Sequence, residues 1–365
     1  MKILYAIQGT GNGHLSRARD IIPVLKKDHE VDILISGTQA DVELPFPVKF
    51  KYRGLSFIFG ESGGVDLKKT YKKNNLRGLF FEIDDVPVEL YDLVINDFEP
   101  VTAWACELKN IRCVALSHQS AVLNKSVPQP NESDFLGRAI LKNYAPSSVQ
   151  YGFHFKSYDS NIYTPVIRQQ VRNCKIANKG HYTVYLPAYD DKRIIKVLSN
   201  FENVQWQVFS KHNKKHFKEM NISIQSINND DFVSSMASSE GILCGAGFET
   251  PAEALFMNKK LLVIPMKGQY EQQCNAAALS EMGVPVIKSL NLKHKEKIQE
   301  WIENDLRIQV DYPNITEQII NKVISENFSV INLDMMLEGK KPSSLKKFKR
   351  MLLRKVASEL EIDNG

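Results

Sequence analysis

The chain is short of several features that would have settled its chemistry at once. No stretch approaches the roughly 20 consecutive apolar residues that a bilayer-spanning helix needs. No D-x-D occurs, and no His, Cys and carboxylate residues cluster at metal-ligand spacing. A metal-bridged diphosphate is therefore not expected, and neither is a bound cofactor. Cysteine is scarce: five residues (106, 113, 174, 244, 274), an odd number without C-x-x-C spacing. That pattern points to reduced cytosolic thiols rather than a disulfide framework or a zinc site. The match Asn131-Glu-Ser133 to a glycosylation acceptor then carries no weight. The first residues, Met1-Lys-Ile-Leu-Tyr-Ala-Ile-Gln8, read as a strand and lack a signal peptide's cleavage site, so a cytoplasmic protein is expected. There is no low-complexity run and no short-period repeat.

Charge of one sign is short everywhere but one place. The net charge is +5, yet residues 340–355 alone hold eight Lys/Arg and no acid, which leaves −3 for the rest. Basicity confined to one segment argues against a nucleic-acid partner. Leu345, Phe348, Leu352 and Val356 fall at helical spacing among those cations. Two readings stand for 340–356: a peripheral contact with the inner membrane face, or a packed helix with a solvated charged side.

What is present is an alternation. A length of 365 residues suggests about two domains. Short apolar runs at 2–7, 30–36, 48–52, 93–96 and 113–117 alternate with helical patterns at 14–27 and 100–109. A second alternation starts at 182–187 and runs through helices 191–199 and 231–238 and strands 204–209, 222–227, 241–244, 261–264 and 284–287. Helices near 294–304 and 314–326 follow. Such alternation predicts doubly wound parallel sheets. The expected fold class is α/β, with two Rossmann-like domains facing each other across a cleft. The expected limits are 1–165, 181–325 and a basic helix over 326–365, with a hinge near 160–180.

The most informative stretch is Cys244-Gly-Ala-Gly-Phe-Glu-Thr-Pro-Ala-Glu-Ala-Leu-Phe256, followed by Leu261–Pro265 and Gln269–Ala276. It reads strand, glycine turn, helix, strand, polar turn, helix. Turns at the carboxyl ends of parallel strands are where open α/β sheets bind ligands. A glycine turn there lets backbone N–H groups at a helix start approach a phosphate. Glu253, Glu271 and Gln272 add side chains that can bind sugar hydroxyls. Thr250-Pro-Ala-Glu253 also has the form of a capping box, a purely structural use.

Gly9-Thr-Gly-Asn-Gly-His14 resembles a dinucleotide fingerprint but has His14 where its third glycine should stand, which speaks against NAD or FAD. A histidine at a turn-to-helix junction is suited to general-base work, or it merely packs the helix. Asp97, at the end of the 93–97 run, is either the carboxylate that orients such a base or the cap of the next helix. Asp20 is a second possible partner. Ser117-His-Gln-Ser120 ends another strand at the same edge and offers acceptor-binding or loop-bonding side chains. Gly60-Glu-Ser-Gly-Gly64 fits the hydrolase nucleophile pattern G-x-S-x-G, a short motif that a mobile loop near the acceptor also satisfies.

These residues resemble the GT-B glycosyltransferases, in particular the GlcNAc transferase that makes lipid II and the UDP-sugar transferases of natural products and lipids. Gly9–His14 is similar to that family's G-G-T-G-G-H loop. The resemblance implies His14 as the base, Asp97 as its support, and Gly11, Asn12, Gly13 and His118 on the acceptor side. Gly247-Phe248-Glu-Thr250-Pro-Ala-Glu253 resembles the donor signature G-x-x-[ST]-x-x-E, and Glu271-Gln272-x-x-Asn275 the [DE]-Q-x-x-N turn. By that likeness Gly247 and Thr250 hold diphosphate, Glu253 the ribose, and Glu271 and Gln272 the sugar. The family's usual diphosphate-binding His is Gly245 here, so that contact falls to backbone and helix dipole. The implied activity is inverting, metal-independent transfer from a nucleotide sugar, UDP-linked, to a hydroxyl acceptor such as a lipid or saccharide of the cell envelope. Two alternatives remain: an isomerase like the UDP-GlcNAc 2-epimerases, and a non-catalytic sugar-nucleotide binder.

Overall fold

The computed structural model describes residues 1–10, 12–37, 44–54, 76–130 and 134–334. The G-x-S-x-G match, Gly11 and the basic segment 340–356 lie outside these residues. The chain forms two compact units. The first comprises 1–127, 132–166 and the chain from Pro313 on; the second comprises Pro128–Asn131 and Ile167–Tyr312.

The first unit carries β1 (Lys2–Gln8), α1 (Asn12–Asp28), β2 (Glu30–Ser36), β3 (Phe50–Tyr52), α2 (Leu76–Asp85), β4 (Leu93–Asp97), α3 (Pro100–Lys109), β5 (Cys113–Ser117), α4 (His118–Val122), α5 (Phe135–Tyr144), β6 (Val149–Phe153) and β7 (Ile162–Tyr163). Its seven strands run in the order β3-β2-β1-β4-β5-β6-β7, every pair parallel. β4 and β5 are buried along their whole length, as continuous apolar strands covered by helices on both faces should be. The order reverses between β1 and β4, where Ile7 lies beside Asp97. That is the switch point, where the strand ends part and leave a crevice.

The second unit carries α6 (Gln169–Arg172), β8 (His181–Tyr185), α7 (Asp191–Leu198), β9 (Gln205–Ser210), β10 (Phe217–Glu219), β11 (Ile222–Ser226), α8 (Asn229–Ser238), β12 (Gly241–Gly245), α9 (Glu249–Phe256), β13 (Lys260–Ile264), α10 (Tyr270–Glu281) and α11 (Lys295–Glu303). The order is β10-β11-β9-β8-β12-β13, parallel but for the β10–β11 hairpin. Its core gathers Trp206, Val208, Ile224, Leu243, Leu262, Ile298 and Trp301 between sheet and helices. The switch point here lies between β8 and β12, which places Gly245 at its mouth. The expected strand 284–287 makes only a single bridge, Val286 to Val263.

The last described helix, α12 (Thr316–Asp334), follows the second unit in sequence but has its partners in the first. Lys27 on α1 pairs with Glu317 at 2.8 Å, and Tyr151 Oη donates to Glu326 at 2.7 Å. Arg112 Nη2 donates to the Asn327 Oδ1 at 3.0 Å.

Candidate active site

In the first unit, the turn after β4 sets the geometry. Phe98 sits at φ 57°, a left-handed conformation that costs a bulky residue about 1–2 kcal/mol. Asn96 holds the turn by accepting from Glu99 N and donating to Glu99 O, both at 2.8 Å. Glu99 then caps α3, accepting from Val101 N and Thr102 N at 2.7 Å each. Its full burial pushes its carboxyl above the usual range, although these bonds and Ser36 Oγ pull the other way. Glu99 is thus the cap of the next helix. Asp97 is left free of that duty.

Asp97 is fully buried and accepts from His14 Nδ1 at 2.8 Å. Arg17, three residues on and on the same face of α1, donates Nη2 to its Oδ1 at 2.7 Å and Oδ2 at 2.9 Å, and Nε to Oδ2 at 3.3 Å. Burial alone would raise the Asp97 carboxyl; the charges of Arg17 and His14 overturn this and hold it below the ordinary carboxylate range. A carboxylate that accepts from Nδ1 fixes that nitrogen as the N–H, leaving Nε2 as the basic one. His14 is 13% exposed, so the ring is sheltered but reachable. Phe98 lies parallel to it, with centroids 6.4 Å apart. Gln119 Nε2 comes to 3.4 Å from His14 Nε2.

Of the other acceptor-side residues, Asn12 and Gly13 open α1 beside the base. His118 does not face it. It is buried, gives Nδ1–H to Phe153 O at 2.8 Å and lies against His154. The next residue, Gln119, reaches His14 instead. Sequence reasoning had Gln119 within the acceptor-side stretch Ser117–Ser120 but singled out His118, and it missed Arg17, whose signal was there, a cation at i+3 from the histidine.

In the second unit, Gly245 ends β12 and Gly247 precedes α9. A Cβ on Gly247 would meet nothing within 4 Å, and one on Gly245 would meet only Gln272 Oε1 at 3.7 Å and Ile264 O at 3.8 Å. Neither has the positive φ that demands glycine. The contrast is Gly9, where a Cβ would lie 2.7 Å from Ile35 Cγ2 and 3.0 Å from Ser36 O. Packing explains Gly9. It does not explain Gly245 or Gly247, where the open space suits a ligand approaching the backbone.

The expected capping box does not form. α9 starts at Glu249, so Thr250 lies inside the helix, and the cap residue, Phe248, is buried and makes no side-chain cap bond. Phe248 supplies no side-chain cap to that turn, and the start of a helix favours an anion. Glu253, 2% exposed, accepts instead from Arg168 Nε at 2.5 Å and Nη2 at 2.7 Å. Arg168 Nη1 also donates to Asn229 Oδ1 at 2.6 Å. The second polar turn folds onto the first: Asn275 Nδ2 donates to Ala246 O at 3.1 Å, and Gln272 Oε1 accepts from Met266 N at 2.9 Å. Glu271 stands half-buried in the first turn of α10. The structure so brings Gly245, Gly247, Gln272 and Asn275 together, with Glu253 deeper along α9.

Two doubly wound units, one with a histidine at its switch point and the other with an open glycine turn, define the GT-B type of glycosyltransferase. The chain belongs to glycosyl transferase family 1, whose family model matches residues 1–304. No curated protein sequence matches it significantly. Solved structures with this fold include a putative UDP-N-acetylglucosamine 2-epimerase from Listeria monocytogenes (10% identity, TM-score 0.56, covering 90% of this chain and 97% of that one). UGT2 of Phytolacca americana, complexed with UDP-2fluoro-glucose and pterostilbene, matches at 11% identity and TM-score 0.54 (90% and 93% covered). UGT89C1 of Arabidopsis thaliana, complexed with quercetin, matches at 13% identity and TM-score 0.53 (97% and 99% covered). At these identities the likeness is one of fold.

Proposed function

We propose that this glycosyltransferase moves a sugar from a UDP-linked donor to a hydroxyl acceptor, with inversion and without a metal ion. The observation that carries the reading is the His14–Asp97 pair, an imidazole oriented by a buried carboxylate. His14 Nε2 takes the proton of the acceptor hydroxyl as its oxygen bonds to the anomeric carbon. The bond from that carbon to the diphosphate oxygen breaks, and the diphosphate leaves with the electron pair. A single displacement of this kind inverts the anomeric centre.

The departing charge falls to backbone N–H groups at Gly247 and the start of α9, whose dipole favours an anion. Glu271 and Gln272 hold the transferred sugar. Glu253 receives the ribose hydroxyls when Arg168 yields one arm of its fork, since both carboxylate oxygens now accept from it. UDP is favoured because the Phytolacca neighbour of this fold was captured with a UDP-sugar. Among the described residues no helix is long and apolar enough to cross a membrane. Membrane contact through 340–356, and with it a lipid acceptor at the inner face, remains part of the proposal. Vesicle co-sedimentation with and without residues 339–365 tests it; equal pelleting removes it.

The experiment for the main reading is a screen of UDP-sugars by thermal shift, followed by transfer assays with the donors that bind. Stabilisation by at least one UDP-sugar is expected. If no nucleotide sugar stabilises the protein, the proposal fails. The same incubations, read by chromatography of the nucleotide sugar, expose an epimerase: it would return a C2-epimerised donor without any acceptor.

A further inference from the structure

Proton transfer to His14 does not itself call for Arg17, yet Arg17 is 2% exposed inside the first unit. Burying a guanidinium is costly unless its N–H groups are matched. Here the match is Asp97, gripped by Nε and Nη2, while the guanidinium carbon lies 5.5 Å from the centre of the Phe153 ring. The same Nη2 comes to 3.2 Å from His14 Nδ1. One carboxylate therefore serves two claimants, a permanent cation and an imidazole that can become one.

The consequence is electrostatic. A buried carboxylate with a histidine as its sole partner favours the imidazolium, and a protonated histidine is no base. A guanidinium that neutralises the carboxylate, and stands beside the ring, opposes that protonation. We propose that Arg17 is a positioning residue that keeps His14 neutral, with Nδ1–H aimed at Asp97 and Nε2 open to the acceptor's proton. This rests on the reading of His14 as the base.

Among the described residues, the other groups around the ring leave that balance to Arg17 and Asp97. From α4, Gln119 presents a neutral amide. His118, its neighbour, is turned to Phe153 O. Phe98 covers one side of the imidazole, and Tyr144, packed on Phe98, is held protonated far above neutral pH by burial. Glu99 spends its oxygens on Ser36 and the start of α3.

The test is an NMR titration of the His14 ring in the full chain, run beside the pH profile of transfer, for wild type, Arg17→Met and Arg17→Lys. Arg17→Met should move the His14 midpoint and the acid limb of the rate profile upward together, by about one pH unit or more. Arg17→Lys, which keeps the charge but not the fork, should move both upward by less. A folded Arg17→Met protein whose midpoint stays at the wild-type pH overturns the proposal. Should Arg17→Met not fold, an unchanged midpoint in Arg17→Lys overturns it. A His14→Ala protein that still transfers sinks the base reading instead, and the NMR midpoint distinguishes the two failures.

Discussion

Each unit clamps a buried carboxylate with an arginine fork, but the two pairs differ in their third member. Asp97 shares its oxygens between Arg17 and His14, a group that can take up and release a proton. Glu253 is held by Arg168, whose remaining arm goes to Asn229, a neutral amide. The first arrangement can move a proton; the second can only bind. The glycines divide in the same way. Gly9 is glycine because its own unit crowds it, whereas Gly247 stands in open space just before α9. In the proposed reading, proton chemistry belongs to the first unit and ligand holding to the second.

The sharpest way to break this comparison is to remove the proton acceptor. His14→Ala should lower transfer by about 10²–10⁴-fold while donor binding and thermal stability hold, since the ring is partly exposed. Steady-state rates and calorimetric titration of the donor check both halves.

Removing Asp97 comes next. Asp97→Ala removes the carboxylate that the buried Arg17 grips, so about 3–5 kcal/mol of stability should be lost in denaturant unfolding. Glu253→Ala should cost less, because Arg168 is 12% exposed and keeps its bond to Asn229. Equal losses would erase the distinction drawn between the two forks.

Glycine substitutions give a smaller and cleaner contrast. Gly247→Ala should leave the melting temperature unchanged, because nothing lies where its methyl would go, and weaken donor binding about tenfold, a cost of about 1.4 kcal/mol. Gly9→Ala should instead destabilise by about 1–3 kcal/mol through overpacking against Ile35 and the backbone beside it. A Gly247→Ala protein that binds donor normally would mean that no ligand approaches that turn closely.

The pH dependence is the mildest test. The Asp97 carboxyl is depressed in the fold, so its contribution is present above the usual carboxylate range and is lost as pH falls through its lowered value. Acid unfolding should therefore lose its dependence on this group in Asp97→Asn. Lys259 in the second unit behaves differently: burial lowers it to about 8. Its neutral form is favoured in the fold, so stability from this group is greatest above the free-lysine range and is lost as pH falls through about 8. Lys259→Met should flatten that part of the stability profile; an unchanged slope would remove Lys259 as its cause.

The alternation of apolar runs and helices was legible because parallel strands buried on both faces leave an unbroken apolar signature. His14, Asp97 and the 244–276 stretch stood out for the same topological reason, each ending a strand or opening a helix. What stayed hidden was pairing. A one-dimensional pattern shows that Arg17 shares a helix face with His14, but not that Asp97, 80 residues away, meets both. Thr250-Pro-Ala-Glu253 shows the limit of local rules: as a tetrapeptide it is a cap, but the helix begins two residues earlier than that cap would set it, and Arg168 claims the glutamate. The helix near 314–326 was likewise expected within the second domain, 181–325, whereas α12 belongs to the first unit, because its partners lie far off in sequence.

One measurement bears most directly on the division of labour: calorimetric titration of a UDP-sugar into wild type and His14→Ala, each followed by a transfer assay with the same donor. Equal donor affinity in the two proteins, with transfer surviving only in wild type, is the predicted result. Absence of binding by wild type, or equal transfer by both, would contradict it.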